Sequence, residues 1–186
     1  MYEDSFNGDT YIFEKFKELV KTYSINAIVE TGTYHGQTTD ALASIVKKVY
    51  TIEINGQYQQ IAKSRCANKN NIDFISGSSN EIFPNLLKTL DNNTLFFLDA
   101  HWNSYCPLWD EIRLIGEAQL KPIIVVHDFK VPEHPEFGYD HWNGKDLSYV
   151  NVKSAIDKVY GEGGYQHFTN TEASGAKRGA GFFIPV

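Results

Sequence analysis

Two short segments each place an aspartate beside a histidine: Asp99-Ala100-His101 follows Leu95–Leu98, and His127-Asp128 follows Ile123–Val126. Apolar runs of that length read as buried strands, so both pairs would reach the same edge of a sheet. Carboxylates so placed repel each other unless a proton or a cation lies between them. A divalent ion is one resolution, with Asp99, His101, His127 and Asp128 as its candidate ligands. Oxygen ligands favour Mg²⁺, while histidine participation shifts the choice to Mn²⁺, Fe²⁺ or Zn²⁺. The structural alternative is that Asp128 caps a turn and the imidazoles bond to backbone. His101 is also suited to general-base work, since an ordinary imidazole titrates near ~6.5, and Asp99 stands beside it as the second candidate catalytic group.

A second constellation lies upstream, in Glu30-Thr31-Gly32-Thr33-Tyr34-His35-Gly36-Gln37-Thr38. Gly32 and Gly36 permit a tight turn that opens a helix, and helix N-termini favour anions. Glu30 argues against a dinucleotide there, because a carboxylate would repel its phosphates. Tyr34 also occupies the second glycine position of the dinucleotide fingerprint. A ligand with a cationic centre and an ammonium group would accept that carboxylate, which points to S-adenosylmethionine rather than NAD. Glu53 lies 21 residues after Gly32, the spacing at which an acid receives ribose hydroxyls. Ser78, Ser79 and Asn80 carry both donors and acceptors for an adenine edge, and a serine there is equally a helix N-cap.

These residues need a scaffold that brings strand ends together. Thr10–Tyr23 has helical periodicity. Five candidate strands follow (Ala27–Glu30, Val49–Glu53, Ile72–Ile75, Leu95–Asp99 and Pro122–His127), alternating with helices at about Thr38–Lys47, Gln57–Lys69, Asn80–Leu90 and Leu108–Gln119. Such alternation implies right-handed crossovers and an α/β, doubly wound, mostly parallel sheet with helices on both faces. Ligands of such sheets sit beyond the carboxyl ends of the strands. Lys130–Ser148 is long and aperiodic, and its Phe137, Tyr139 and Trp142 make it a packed lid rather than a floppy insert. Asp140 or His141 would supply the lid's polar contacts. After a helix at Tyr149–Tyr160, Tyr165–Phe168 and Gly181–Ile184 read as a closing antiparallel pair, and Lys177-Arg178 as a solvated turn between them, with contact to an anionic substrate as the alternative.

Composition narrows the field. With 186 residues, 42% of them hydrophobic, the chain suits one domain, 1–186, with a sizeable core. Seventeen Lys plus Arg against 23 Asp plus Glu leave a net charge of −6 and no basic stripe, so nucleic acid is not an expected partner. No apolar run approaches a membrane span, and Met1-Tyr2-Glu3-Asp4 is unlike a secretory leader. Two cysteines, Cys66 and Cys106, stand 40 residues apart and read as reduced thiols of a cytoplasmic protein, with one disulfide as the alternative. The aromatic first helix offers a surface for a homo-oligomer.

Together, IVETGTYHGQTTDALA, VYTIEIN, GSSNEIFPNLL and FLDAHW resemble the class I S-adenosylmethionine-dependent methyltransferases, most closely the metal-dependent O-methyltransferases of the catechol and macrocin type. The resemblance runs from about Ala27 to Phe129. It implies a seven-stranded Rossmann-like sheet with one antiparallel strand. It also implies a cofactor set of Glu30, Gly32, Thr33, Tyr34, Gly36, Thr38, Glu53, Ile54, Ser78, Ser79, Asn80 and Asp99, with Asp99 and Asp128 as metal ligands. The family's catalytic lysine is missing, and its neighbourhood reads His101-Trp102-Asn103. The third family ligand falls on Phe129 in one register. In the other the pair is His127-Asp128, which needs a local bend to aim both side chains one way. Three readings therefore stand: methyl transfer to an oxygen of a small-molecule or sugar acceptor, a metal-dependent hydroxylase on the same scaffold, and a cofactor-binding protein without catalysis.

Overall fold

Residues 4–101 and 105–186 are described in a computed structural model of the chain; Trp102 and Asn103 lie outside them. The first described element is a 3₁₀ turn at Ser5–Gly8. Asp9 then caps α1 (Thr10–Thr22), its Oδ1 accepting from the amides of Tyr11 and Ile12.

The strands are β1 (Ala27–Thr31), β2 (Lys48–Glu53), β3 (Ile72–Ser76), β4 (Thr94–Leu98) and β5 (Ile123–His127). A short hairpin follows, β6 (His141–Trp142) with β7 (Lys145–Asp146), and then β8 (Tyr165–Thr169) and β9 (Ala180–Pro185). The main sheet has seven strands in the order β3-β2-β1-β4-β5-β9-β8. Strands β1 to β5 pair in parallel, and β9 runs antiparallel to both β5 and β8. The expected closing pair is therefore present, and it caps a doubly wound sheet whose order reverses between β1 and β4.

The helices after α1 are α2 (Gln37–Leu42), α3 (Gly56–Arg65), α4 (Ser79–Leu86), α5 (Leu108–Glu117) and α6 (Tyr149–Tyr160). Alternate residues of each strand feed two cores. Val29, Phe96, Leu98, Ile124, Val126 and Phe183 pack with α4, α5 and α6. Ile28, Val49, Leu95, Phe97, Val125 and Phe182 pack with α1 and α2 on the other face. Helix α2 is shorter than its periodicity suggests because Asn71 intervenes: its Nδ2 donates to the carbonyls of Ala43 and Val46, drawing the chain into a turn. Both cysteines are buried free thiols. No helix among the described residues is long and apolar enough to cross a membrane.

The segment 130–148 is packed, with Phe137 buried and Trp142 against the core. Its hairpin turns on Asn143-Gly144, both at positive φ, a turn sequence that periodicity alone passes over.

Candidate functional site

A cavity of about 350 Å³ opens at the carboxyl ends of β1, β2, β3 and β4, where the strand order reverses. Gly32, Tyr34, Glu53, Ile54, Ser79, Asp99, His101 and Asp128 are among its lining residues, so eight positions picked from the sequence meet in one space.

Local backbone explains how. Gly32 sits at φ +87°, and a Cβ there would come within 2.7 Å of the Asp99 carbonyl oxygen. Only glycine lets the first loop cross β4 so closely. Tyr34 also takes a left-handed conformation, which its amide supports by donating to Glu53 Oε2 at 2.8 Å. Glu53 Oε1 accepts from the Asn55 amide at 2.8 Å. Two backbone bonds thus aim a nearly buried carboxylate into the cavity, with lone pairs left for a ligand's hydroxyls. The ring of Tyr34 stacks on His35 at 3.8 Å and meets Tyr58 edge-on, forming a half-exposed aromatic lip.

Six other predicted cofactor positions lie outside the lining. Glu30 is buried, and its Oε2 accepts from the hydroxyls of Thr39 and Thr51 at 2.5 and 2.6 Å. Burial pushes its carboxyl up to about 8, against those two hydrogen bonds. Thr33 bonds Thr51 at 2.6 Å. Gly36 begins α2 at φ +80°, against Ala62 of α3. Thr38 accepts from the Phe6 amide. Ser78 and Asn80 bond to each other at the start of α4. These residues build the loops that the lining residues stand on.

At the other end of the cavity the two Asp/His pairs converge. Asp128 is at φ +53°, the local bend that lets consecutive residues face one site. His127 is buried, with Nδ1 2.8 Å from Asp99 Oδ1 and 3.2 Å from Asp128 Oδ1. Burial opposes its charge, but the two carboxylates outweigh this and push the imidazole up to about 9. His101 Nε2 lies 3.4 Å from Asp128 Oδ2 and 3.6 Å from Asp140 Oδ2. Its hydrogen bond to Asp128 raises it above the ordinary histidine value, partly offset by burial. Asp99, His127 and Asp128 form one group of ligand-type atoms, and His101, Asp128 and Asp140 form another.

Arg178 corrects the expectation of a solvated turn. It is one-quarter exposed, with Nε 2.5 Å from Asp128 Oδ1 and Nη2 on Asp140 Oδ1. Burial opposes the Asp128 charge, yet His127, His101 and Arg178 hold its carboxyl well below the usual range. Two further site residues escaped the sequence reading. Asn7 lines the cavity from the N-terminal turn, whose Phe6 ring packs on Phe16 and Phe97 and whose Asn7 carbonyl accepts from the Ala176 amide. Its Asn-Gly pair signals a turn, but nothing signals where the turn lands. Glu111 is buried on α5, and burial pushes it up to about 7.

No protein-family model matches the chain, and no curated relative matches it in sequence. Solved structures do match in shape. The O-methyltransferase TomG from Streptomyces achromogenes, in complex with S-adenosylmethionine, is 16% identical with a TM-score of 0.69, over 94% of this chain and 79% of that one. An O-methyltransferase from Bacillus cereus with S-adenosylhomocysteine is 17% identical at 0.65, over 95% and 81%. An rRNA methylase from Streptococcus thermophilus is 13% identical at 0.60, over 95% and 96%. Seven strands in this order, a cavity at the reversal point and these neighbours together give the chain the Rossmann-like fold of the class I methyltransferases.

Proposed function

We propose that the chain binds S-adenosylmethionine in this cavity and transfers its methyl group to an oxygen of a small-molecule or sugar acceptor. The observation that carries this reading is Glu53. It ends β2 as a nearly buried carboxylate held by two amides, with lone pairs turned into a cavity of about 350 Å³, within the size range of small-ligand sites. Vicinal ribose hydroxyls are the donors such an acceptor suits. The complexes of TomG and of the Bacillus cereus enzyme support the same ligand class.

When bound, S-adenosylmethionine supplies a methyl group activated on a sulfonium. Glu53 would hold the ribose hydroxyls, and Gly77, Ser79, Gly32 and Asp99, which line the same cavity, would meet the rest of the molecule. Tyr34 and Tyr58 wall the mouth against water. Displacement at a methyl carbon is in-line, so much of the acceleration comes from aligning the two partners. His101 stands at the opposite end from Glu53 and takes the acceptor's proton once its own has left. Its neighbours raise its pKa, so the reaction gains speed as the solution is made less acidic.

The divalent metal of the resembling enzymes does not suit this donor set. Asp128 is already paired with Arg178, and Asp99 with His127, so no step is routed through a metal. The hydroxylase alternative needs an iron at the same carboxylates and meets the same obstacle.

Calorimetry with S-adenosylmethionine and with NAD tests the ligand. Binding of the first alone, weakened at least ~100-fold by Glu53→Ala through loss of two charge-assisted hydrogen bonds, is the expected result. No binding, or binding indifferent to Glu53→Ala, would defeat the proposal. Incubating labelled cofactor with sugar, phenol and other hydroxyl acceptors distinguishes an enzyme from a binding protein, which would label none.

A further inference from the structure

The acceptor end of the cavity is lined by Asp99, Asp128 and His101, with Asp140 beside His101 and His127 beside both aspartates, so three carboxylates lie within reach of two imidazoles. Both groups of ligand-type atoms share Asp128, so any cation recruited by either must bind that side chain. Asp128 Oδ1 already has the guanidinium Nε of Arg178 at 2.5 Å and the Nδ1 of His127 at 3.2 Å. Asp140, the outer carboxylate, is held by Nη2 of the same guanidinium. One planar fork thus bridges the two acids of the His101 group, while in the other group the imidazole of His127 stands between Asp99 and Asp128, the acid that the fork also holds.

Arg178 is not a surface side chain that has folded inward by chance. Its seat is constructed. Gly138 stands against it, and a Cβ at that position would lie 2.7 Å from Nη1, so the missing side chain is the space the guanidinium fills. The backbone on both sides is fastened. The Gly138 amide donates to the Lys177 carbonyl at 2.8 Å, and the Gly179 amide donates to the Gly138 carbonyl at 2.9 Å. The Phe129 amide donates to the Gly179 carbonyl at 2.9 Å, and the Asp140 amide to the Asp128 carbonyl at 2.9 Å. The arginine, its two acids and the glycine that admits it are therefore locked in one register.

We infer that Arg178, seated against Gly138 and bridging Asp128 to Asp140, is the resident cation of the acceptor end and keeps divalent metal ions out of it. An arginine remains charged at every physiological pH. A second cation within about 4 Å would meet its full repulsion in a partly buried site. Arg178 then acts as a positioning residue. It fixes Asp128 and Asp140, and these two acids flank His101. The inference deepens the methyl-transfer reading but stands on the carboxylate cluster, not on the cofactor, so the two can fail separately.

Mn²⁺ titration of the full chain, followed by calorimetry and by the paramagnetic resonance of the free ion, is the test. Wild type is expected to bind no stoichiometric Mn²⁺ at millimolar concentration. Arg178→Gln and Arg178→Met are expected to bind about one ion, at least tenfold more tightly than wild type, with the gain lost on adding Asp128→Asn. Stoichiometric binding by wild type that Asp128→Asn abolishes overturns the inference. So does failure of both Arg178 variants to bind the ion. Variants that fold only with Mn²⁺ present uphold it, because the ion would then restore the lost charge balance; variants that fold neither with nor without the ion count against it. Titrating the same proteins with S-adenosylmethionine separates this outcome from the fate of the cofactor reading, since Glu53 is untouched in all of them.

Discussion

At the β1–β2 end of the cavity, Gly32, Tyr34, Glu53 and Ile54 come from two adjacent parallel strands and the loops that follow them. At the β4–β5 end, Asp99, His101, Asp128, Asp140 and Arg178 come from four segments spread over residues 99 to 178. The first end relies on backbone: amides hold Glu53, and a bare Cα at Gly32 lets the loop pass. The second relies on charge, with each acid compensated by a cation from a distant element. A backbone-built site is preorganised by local sequence. A charge-built site exists only after the sheet has closed, and its balance fails when one member is removed.

Five experiments press on that contrast. His101→Gln should lower the rate of methyl transfer ~10²–10⁴-fold, the usual contribution of a positioned base, while leaving cofactor affinity at the Glu53 end unchanged. In the wild type, kcat/KM should rise with pH through an apparent value above 6.5, as the neighbouring acids dictate; a profile flat across that range would remove His101 from the chemistry. Next, His127→Ala should cost about 3–5 kcal/mol of stability in urea unfolding, because it leaves the buried Asp128 beside the partly buried Asp99 with no imidazole between them. A loss under about 1 kcal/mol would mean the pair is not the keystone of that end.

Gly32→Ala probes the backbone-built end. Forcing a Cβ against the Asp99 carbonyl at positive φ should cost about 1–3 kcal/mol and weaken cofactor binding alongside. Glu30→Gln probes the same end through pH. In the folded chain Glu30 titrates at about 8, above its ordinary 4.5. Its contribution to stability is therefore complete below about pH 4.5 and is lost as pH rises through 8. The gain in melting temperature for Glu30→Gln over wild type should accordingly be larger at about pH 9 than at about pH 5. Equal differences at the two pH values would show that the carboxyl is not held neutral.

The same division runs through what could be read before the structure. The alternation of apolar strand runs with helical patterns carries the doubly wound sheet, because period-2 and period-3.6 burial are written into neighbouring residues. Strand ends follow, and with them Gly32, Glu53 and Asp99 at the cavity. Helix ends were less visible: Asn71, distant in sequence, takes the carbonyls that would have extended α2. Glu30 illustrates a subtler limit. Its position at the end of β1 is plain in the sequence, but its orientation toward Thr39 and Thr51 depends on α2 and β2 packing around it.

Residues 27 to 129 thus announce their own layout, since each strand, turn and helix start is signalled within a few positions of itself. Arg178 and Asn7 do not. Asn7 lines the cavity and Arg178 reaches Asp128 on its wall, each from a turn that looks solvent-exposed in one dimension, and each is brought there by pairing between remote segments: β9 beside β5, Gly138 against Gly179, and the Asn7 carbonyl on the Ala176 amide. Local patterns encode which face of an element is buried. Which charge meets which across 28 to 50 residues is encoded only by the closed sheet, because electrostatic partners need proximity in space and leave no period along the chain.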